Sequence, residues 1–297
     1  MSTRTLDPND LNTPTLHRLL LAAVAPRPIA LASTIDSNGN VNLSPFSFFN
    51  VFSANPPILI FSPSRRGRDN TVKHTYENVK EVPEVVINIV NYAIVEQMSL
   101  SSTEYDREID EFTKAGFTAI PSEKIQPPRV AESPISFECV VDSVVELGKE
   151  GGAGNLVISR VQRIHIQEQY LNDNSALDTK KLELVARMGE SWYCRANSAA
   201  LFEIPKPIFN KGIGVDQLPG HVLDSAILTG NHLGRLGNME QLPNAAAIAT
   251  LKASEKMKSI LVLENRTIQL RELHTYALTA IDDKDMDTAL QILCCLK

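Results

Sequence analysis

Two strand-like stretches, Ile135 to Leu147 and Leu156 to Ile166, flank a glycine-rich turn from Gly148 to Gly154. Apolar, β-branched runs joined by a short Gly-containing connection form a hairpin, and a ribbon this long commits the chain to an antiparallel sheet. Shorter strands of the same kind precede it. Pro28 to Ile35 is apolar, Asp36–Asn40 carries an Asn38-Gly39 turn signal, and Val41 and Leu43 resume the pattern. Ile58 to Phe61 follows the stop at Asn55-Pro56-Pro57, and Val85 to Val90 is rich in β-branched residues.

Helices are fewer. Thr71 to Lys80 lacks Gly and Pro and is expected to form a short helix; Ala93 to Ala115 is expected to be helical, ended by Gly116. Prolines 121, 127, 128 and 134 make Pro121 to Pro134 an extended crossing loop. Beyond Lys206 the character changes, with helices expected over Ala245 to Met257 and Leu273 to Leu296, broken at Asp282–Asp287. Many short strands and few long helices predict a mainly β protein, an antiparallel barrel with helical additions and a helical C-terminal extension. The regular βαβα alternation of a doubly wound parallel sheet is missing.

Charge narrows the function. The chain carries 29 basic and 35 acidic residues, a net charge of −6, which argues against a nucleic-acid-binding protein. No apolar run approaches the ~20 residues of a membrane span, and Met1 to Asp10 has no apolar core of a signal peptide. Cys139, Cys194, Cys294 and Cys295 form no CxxC pair, so reduced thiols and a cytoplasmic location are expected. Cys294 and Cys295 read as small apolar residues at a helix end. The histidines at 17, 74, 165, 221, 232 and 274 show no i, i+4 pair on one helix, which weakens a metal reading. GxSxG, HExxH and Walker motifs are absent, and Gly212-Ile213-Gly214 lacks Rossmann spacing.

Chemistry concentrates between Phe61 and Thr71, Phe-Ser-Pro-Ser-Arg-Arg-Gly-Arg-Asp-Asn-Thr. Forked guanidinium donors, hydroxyls and a following helix N-terminus suit a phosphate monoester; a solvated charged loop is the plain alternative. A second segment, Thr34 with Asn42-Leu43-Ser44-Pro45-Phe46-Ser47-Phe48-Phe49, offers hydroxyls on an irregular Pro turn beside aromatic walls. It would serve a flat heterocycle with polar edges, or would simply be a strand whose Phe residues fill the barrel.

These segments resemble the flavin reductase-like FMN-binding proteins. The likeness rests on Arg27-Pro28-Ile29-Ala30, Ser33-Thr34, Asn38-Gly39, the run Asn42 to Phe49, Asn55-Pro56-Pro57 and Arg68-Asp69-Asn70-Thr71 with Asn78. Val85 to Asn88, Val161 to Ile166, Leu184 to Arg187 with Gly189, and Trp192-Tyr193 with Arg195 continue it. Several motifs in the right order, spanning Thr13 to Leu242, place the nearest likeness with the flavoredoxin-type branch. The resemblance implies a split β-barrel over 13–206, followed by a partly helical extension over 207–297, and a homodimer holding FMN at its interface. By the same resemblance Thr34, Ser44, Pro45, Phe46 and Ser47 would line the isoalloxazine ring. Ser62, Ser64, Arg65, Arg68, Asp69 and Thr71 would hold the ribityl phosphate. Arg27 is a further phosphate partner or a charge at the start of its strand.

On the nicotinamide side the pattern departs. Members that serve two-component monooxygenases carry Asp-His in the strand before the Gly turn, where this chain has Asp142-Ser143. His165, in the strand after the turn, is the candidate catalytic replacement, or a structural strand histidine. The expected function is an FMN-dependent oxidoreductase passing electrons from a reduced donor such as NAD(P)H to an acceptor. The alternatives are an electron carrier served by a redox partner protein, and a flavin storage or interaction protein.

Overall fold

The computed structural model describes residues 2–205 and 211–296. The chain divides into two compact units, Met1–Phe202 and Glu203–Lys297; the boundary expected at 206/207 lies outside the described residues.

In the first unit α1 (Thr13–Ala23) precedes β1 (Ala30–Ile35), β2 (Val41–Phe46), β3 (Phe49–Ala54) and β4 (Pro57–Phe61). Then come α2 (His74–Glu81), β5 (Glu84–Ile89), α3 (Val95–Leu100), α4 (Glu111–Ala115) and the short strands β6 (Ala119–Ile120) and β7 (Arg129–Val130). The long pair β8 (Ile135–Glu146) and β9 (Asn155–Ile166) is the expected hairpin, and α5 (Thr179–Leu182), β10 (Val185–Arg187) and β11 (Tyr193–Arg195) follow it. Seven strands pair in the order β2-β1-β5-β8-β9-β4-β3, every neighbour antiparallel.

The two ends of that order, β2 and β3, are joined by only Ser47 and Phe48, so the sheet must curl until its ends meet. The Ser62 amide donates to the Phe48 carbonyl at 2.8 Å, and the Phe46 and Phe61 rings lie 5.4 Å apart inside the closure. Register shifts between Glu138 and Cys139 and between Val141 and Ser143 bend the long ribbon. This is the split β-barrel with helical additions, and the C-terminal extension is helical.

Alternation explains why β1 reads as a continuous apolar run. Ala30 and Ala32 face the interior with Phe46, Phe61, Val85, Ile87 and Val157. Leu31 faces the other way, with Leu43, Ile94, Met98 and Phe112 beneath α3 and α4. Buried on both faces, the strand has no polar side to show. The Asn38-Gly39 turn forms as expected: Gly39 takes φ +89°, and Asp36 Oδ1 accepts from the amides of Asn38 and Asn40 at 2.9 Å each.

The single helical stretch expected from Ala93 to Ala115 is two short helices. Between them the Ser101 and Ser102 hydroxyls turn back onto the carbonyls of Met98 and Ser99 at 2.9 and 2.6 Å. Asp110 then caps α4 through the Phe112 amide at 2.8 Å. Short polar side chains that bond nearby backbone compete with helix continuation, which is why the helix stops and restarts. Gly116, at φ +70°, ends α4 as read from sequence.

In the second unit the helices are α6 (Gly220–Leu223), α7 (Gly230–Gly237), α8 (Ala245–Lys252), α9 (Glu255–Leu261), α10 (Arg266–Asp282) and α11 (Met286–Leu293). Ser254 and Asp285 cap α9 and α11 and so divide the stretches expected as longer runs. Leu236, Met257, Leu273, Ile281 and Leu290 fill the core, which Cys295 joins while Cys294 packs against it. Folding also pairs two histidines 53 residues apart in sequence: His221 Nδ1 lies 2.9 Å from His274 Nε2. His221 Nε2 faces the carbonyls of Leu293 and Leu296, so it carries the proton and Nδ1 accepts from His274. His274 Nδ1 in turn accepts from the Ser225 hydroxyl at 2.8 Å. The pair is complete with both rings neutral. Among the described residues no helix is long and apolar enough to cross a membrane, and no group of three metal-ligating side chains forms.

Candidate functional site

The loop after β4 is shaped by the turn of the long hairpin. The Arg65 amide donates to the Ala153 carbonyl at 2.8 Å and the Gly152 amide to the Arg65 carbonyl at 3.0 Å. Asn155 Nδ2 holds the Pro63 carbonyl and Asn70 Nδ2 the Lys149 carbonyl. The contact is close: a Cβ on Gly151 would stand 3.1 Å from the Arg66 carbonyl, and one on Gly154 would stand 2.8 Å from Ser62 Oγ. The glycines of the turn are therefore needed for approach.

The loop then knots on itself. The Arg66 amide donates to the Thr71 carbonyl and the Asn70 amide to the Arg66 carbonyl, with Asn70 at φ +59°. Asp69 Oδ1 accepts from the Thr71 amide at 3.0 Å and the Thr71 hydroxyl at 2.6 Å. These bonds, the hydroxyl's first, hold the Asp69 carboxyl far below its ordinary pKa. Asp69 and Thr71 thus build the loop from inside.

Four cations gather here. Arg65 is folded onto Asn70, bonding its side chain and its carbonyl at 2.6 Å each. Arg66, Arg68 and Lys73 share one carboxylate, Glu104. Arg66 Nε lies 3.0 Å from Oε1, Lys73 Nζ lies 3.6 Å from the same oxygen, and Arg68 bonds Oε2. Burial, and then the neighbouring Arg66 charge, push the Lys73 ammonium below its usual pKa. Arg66 is mostly covered whereas Arg68 is 68% exposed. A small polar cavity beside the loop is lined by Ser44, Arg66, Lys73, His74 and Glu104.

Two observations test the loop against a phosphate. Among the described residues the ion pairs of Arg66, Arg68 and Lys73 go to Asp69 and Glu104, and Ser62 Oγ is buried without a hydrogen-bond partner. A ligand bringing two negative charges and three acceptor oxygens would answer both. The residues fit the terminal phosphate of a flavin mononucleotide.

The residues named for the ring side fall in different places. Ser44 reaches the polar cavity beside the basic loop. Thr34 is fully buried, and its hydroxyl accepts from Asn78 of α2 at 3.2 Å. Pro45 pairs with Leu31 in the ladder, and Phe46 packs in the barrel interior. Ser47 sits at the corner, its hydroxyl 3.5 Å from Arg27 Nε. Arg27 is buried and donates to the carbonyls of Leu21, Val24 and Met188. It closes the C-terminus of α1 and is not brought to the basic loop. Ser64 lies part-exposed in the loop.

His165 is placed elsewhere. It stands eight residues beyond Val157, the β9 partner of Phe61, roughly 26 Å along a strand at ~3.3 Å per residue. Its Nε2 is 2.6 Å from Glu138 Oε1. Glu138 is fully buried and also accepts from the amides of Glu123 and Lys124 at 2.8 and 2.7 Å. Asp142, in the departing Asp142-Ser143 pair, is held by Arg160 at 2.8 Å.

Sequence reading passed over Lys73, His74 and Glu104. Lys73 and His74 adjoin the basic run and were open to notice. Glu104 lies 36 residues from Arg68 and gave no local signal.

The architecture is an antiparallel split barrel whose basic loop is braced by its longest hairpin. Residues 22–181 match the model of the flavin reductase like domain, and the chain belongs to that family. Among solved structures, nitrilotriacetate monooxygenase component B from Bacillus cereus is 27% identical, covering 69% of this chain and 99% of its own, with a TM-score of 0.63. The 2-nitrobenzoate 2-nitroreductase of Pseudomonas fluorescens is 25% identical, covering 71% of this chain and all of its own (100%), with a TM-score of 0.62. Flavoredoxin of Desulfovibrio vulgaris shares the fold at 21% identity, covering 63% of this chain and 92% of its own, with a TM-score of 0.52.

Proposed function

We propose that the protein is a cytoplasmic FMN-dependent oxidoreductase that takes electrons from a reduced donor such as NAD(P)H and passes them to an acceptor. The observation that carries this reading is the loop from Ser62 to Thr71, which gathers three arginines and holds a buried, unpartnered hydroxyl at Ser62. FMN, when bound, supplies the two-electron centre; the protein supplies placement, electrostatics and exclusion of water. Arg66, Arg68 and the Ser62 hydroxyl hold the phosphate, and Arg65, Asp69 and Thr71 keep the loop in shape. Ser47 offers a hydroxyl toward the ring, and Ser44 one at the polar cavity beside the basic loop. A monooxygenase component and a nitroreductase among the structural relatives support redox use of the fold.

His165 we assign to holding Glu138 and the crossing loop rather than to proton transfer. We further propose a homodimer. No residue of α1 is buried; its Leu20 and the following Val24 are more than half exposed, as are Val51 and Phe52 of β3. α1 meets the corner before β3, where the His17 ring stands edge-on to Phe48. Apolar surface of this kind is characteristic of an obligate interface.

A second reading, an electron carrier without its own nicotinamide site, draws on Asp142, which lacks a neighbouring histidine and is engaged by Arg160. The purified protein is expected to show a flavin absorption spectrum, with FMN and not FAD released on denaturation. Under anaerobic conditions NADH or NADPH bleaches it within seconds if it is a reductase. Bleaching only by dithionite or a partner protein establishes the carrier. A protein that binds riboflavin as tightly as FMN refutes the phosphate site.

A further inference from the structure

Glu104 has no helix or strand to hold it, standing in the break between α3 and α4, yet it makes three of the ion pairs at the basic loop. Each of its oxygens serves a different cation: Oε1 faces Arg66 and Lys73, Oε2 faces Arg68. A carboxylate with two oxygens spread across three cationic heads imitates two of the three terminal oxygens of a phosphate monoester. The three cations it gathers come from two places, the loop itself and the residue before α2. Arg66 also donates to Thr71 and the Val72 carbonyl and Arg68 pairs with Asp69, but Glu104 is the carboxylate that all three share.

We infer that Glu104 is an internal stand-in for the ligand's phosphate, which a flavin nucleotide must displace to bind, and that this makes FMN exchangeable rather than permanently held. The inference rests on the phosphate reading of the loop. The charge balance requires displacement. With Glu104 in place, a phosphate dianion reaching Arg66 would bring its charge against the carboxylate in a part-buried site, where like charges are weakly screened. The cavity lined by Ser44, Arg66, Lys73, His74 and Glu104 marks where one leaves and the other enters. Removing the carboxylate leaves Arg66 and Lys73 without their shared counter-charge and Arg68 with Asp69 alone.

The test measures binding, not turnover. FMN and riboflavin affinities and FMN dissociation rates are measured by flavin fluorescence for the wild-type chain, Glu104→Gln and Glu104→Ala. Both variants are expected to bind FMN about tenfold more tightly, the scale of one charge-assisted contact, with most of the gain in slower dissociation and riboflavin affinity unchanged. Equal or weaker FMN binding by Glu104→Gln overturns the inference, because Glu104 then orders the cations for the ligand or is indifferent to it. An equal gain for riboflavin also overturns it, since the effect would not pass through the phosphate. Failure of the underlying reading looks different: the wild-type chain itself would not prefer FMN to riboflavin.

Discussion

Replacing His165 with Ala separates its two roles. Glu138 has no exposed side-chain surface and three close donors: the amides of Glu123 and Lys124 and His165 Nε2. Arg129 Nε is more distant, at 3.9 Å. Burial works against ionisation of Glu138, but the Glu123 amide, His165 and the Lys124 amide outweigh it and hold the carboxyl below its ordinary pKa. A hydrogen bond to a charged group contributes about 1.5–3 kcal/mol. At about 2–4 °C per kcal/mol for a unit of this size, His165→Ala should lower the melting temperature by about 3–12 °C. His165→Gln, which retains a donor, should lose less. A group whose folded pKa is depressed stabilises the fold above its unfolded value, so the Glu138 contribution is present at neutral pH. It disappears as the pH falls through the folded value. Thermal unfolding by circular dichroism at pH 7 gives the first quantity, and anaerobic stopped-flow reduction of bound FMN, well below the transition, gives the second. The reduction rate should stay within about twofold of wild type, since the ring's hydrogen bond goes to Glu138 and not to the basic loop. An unchanged melting temperature with a collapsed reduction rate refutes the reasoning and returns His165 to catalysis.

Two further outcomes follow from buried titratable groups. Glu111 is buried, and burial, opposed by the Leu43 amide, raises its carboxyl above the ordinary value. Ionisation therefore costs the folded state above the unfolded pKa, and Glu111→Gln should raise the melting temperature by about 2 °C or more at pH 7, the gain vanishing toward pH 4; a loss at pH 7 contradicts it. In the second unit, burial and then His221 bring His274 down to about 4. The unfolded chain takes up protons first, so amides of α10 and α11 should exchange faster as the pH falls from about 6.5 toward 4, once corrected for intrinsic rates. Burial of His274 beside His221 should account for it, and His274→Gln should flatten the profile.

Elements set by local chemistry were legible. The Asn38-Gly39 turn, the two hairpins and the Gly116 cap depend on residues adjacent in sequence, and each stands where its signal lies. The break at Ser101–Asp110 was not read, because Ser and Asp side chains turning onto their own backbone look, in a list of residues, like the polar face of a helix. The start of α2 at His74 rather than Thr71 has the same origin: Asp69 and Thr71 bond each other and keep the chain in the loop for longer. For the site, the arginines and hydroxyls of the loop were visible as a cluster. Their division of labour was not, since that depends on Glu104 and Lys149, which reach the loop from elsewhere in the chain. Thr34 and Phe46 show the converse. Both fit a ring-binding pattern as letters, but the alternation of β1 and β2 turns them inward, one onto Asn78 and the other onto Phe61.

The hairpin that decides the fold also decides the site. A seven-stranded sheet can close only if its longest ribbon bends, and the register shifts in β8 that bend it bring the turn from Gly148 to Gly154 over the end of β4. Once there, the turn has unpaired backbone groups, and so does the loop after Phe61. Their mutual pairing, Arg65 to Ala153 and Gly152 to Arg65, satisfies backbone groups of both. The arginines are therefore concentrated by closure of the barrel and not by attraction to one another, which they would resist. A carboxylate from the α3–α4 break offsets that repulsion. A dianionic ligand would offset the same repulsion, so on the proposed reading the loop's preference for phosphate is in large part a consequence of how the barrel shuts.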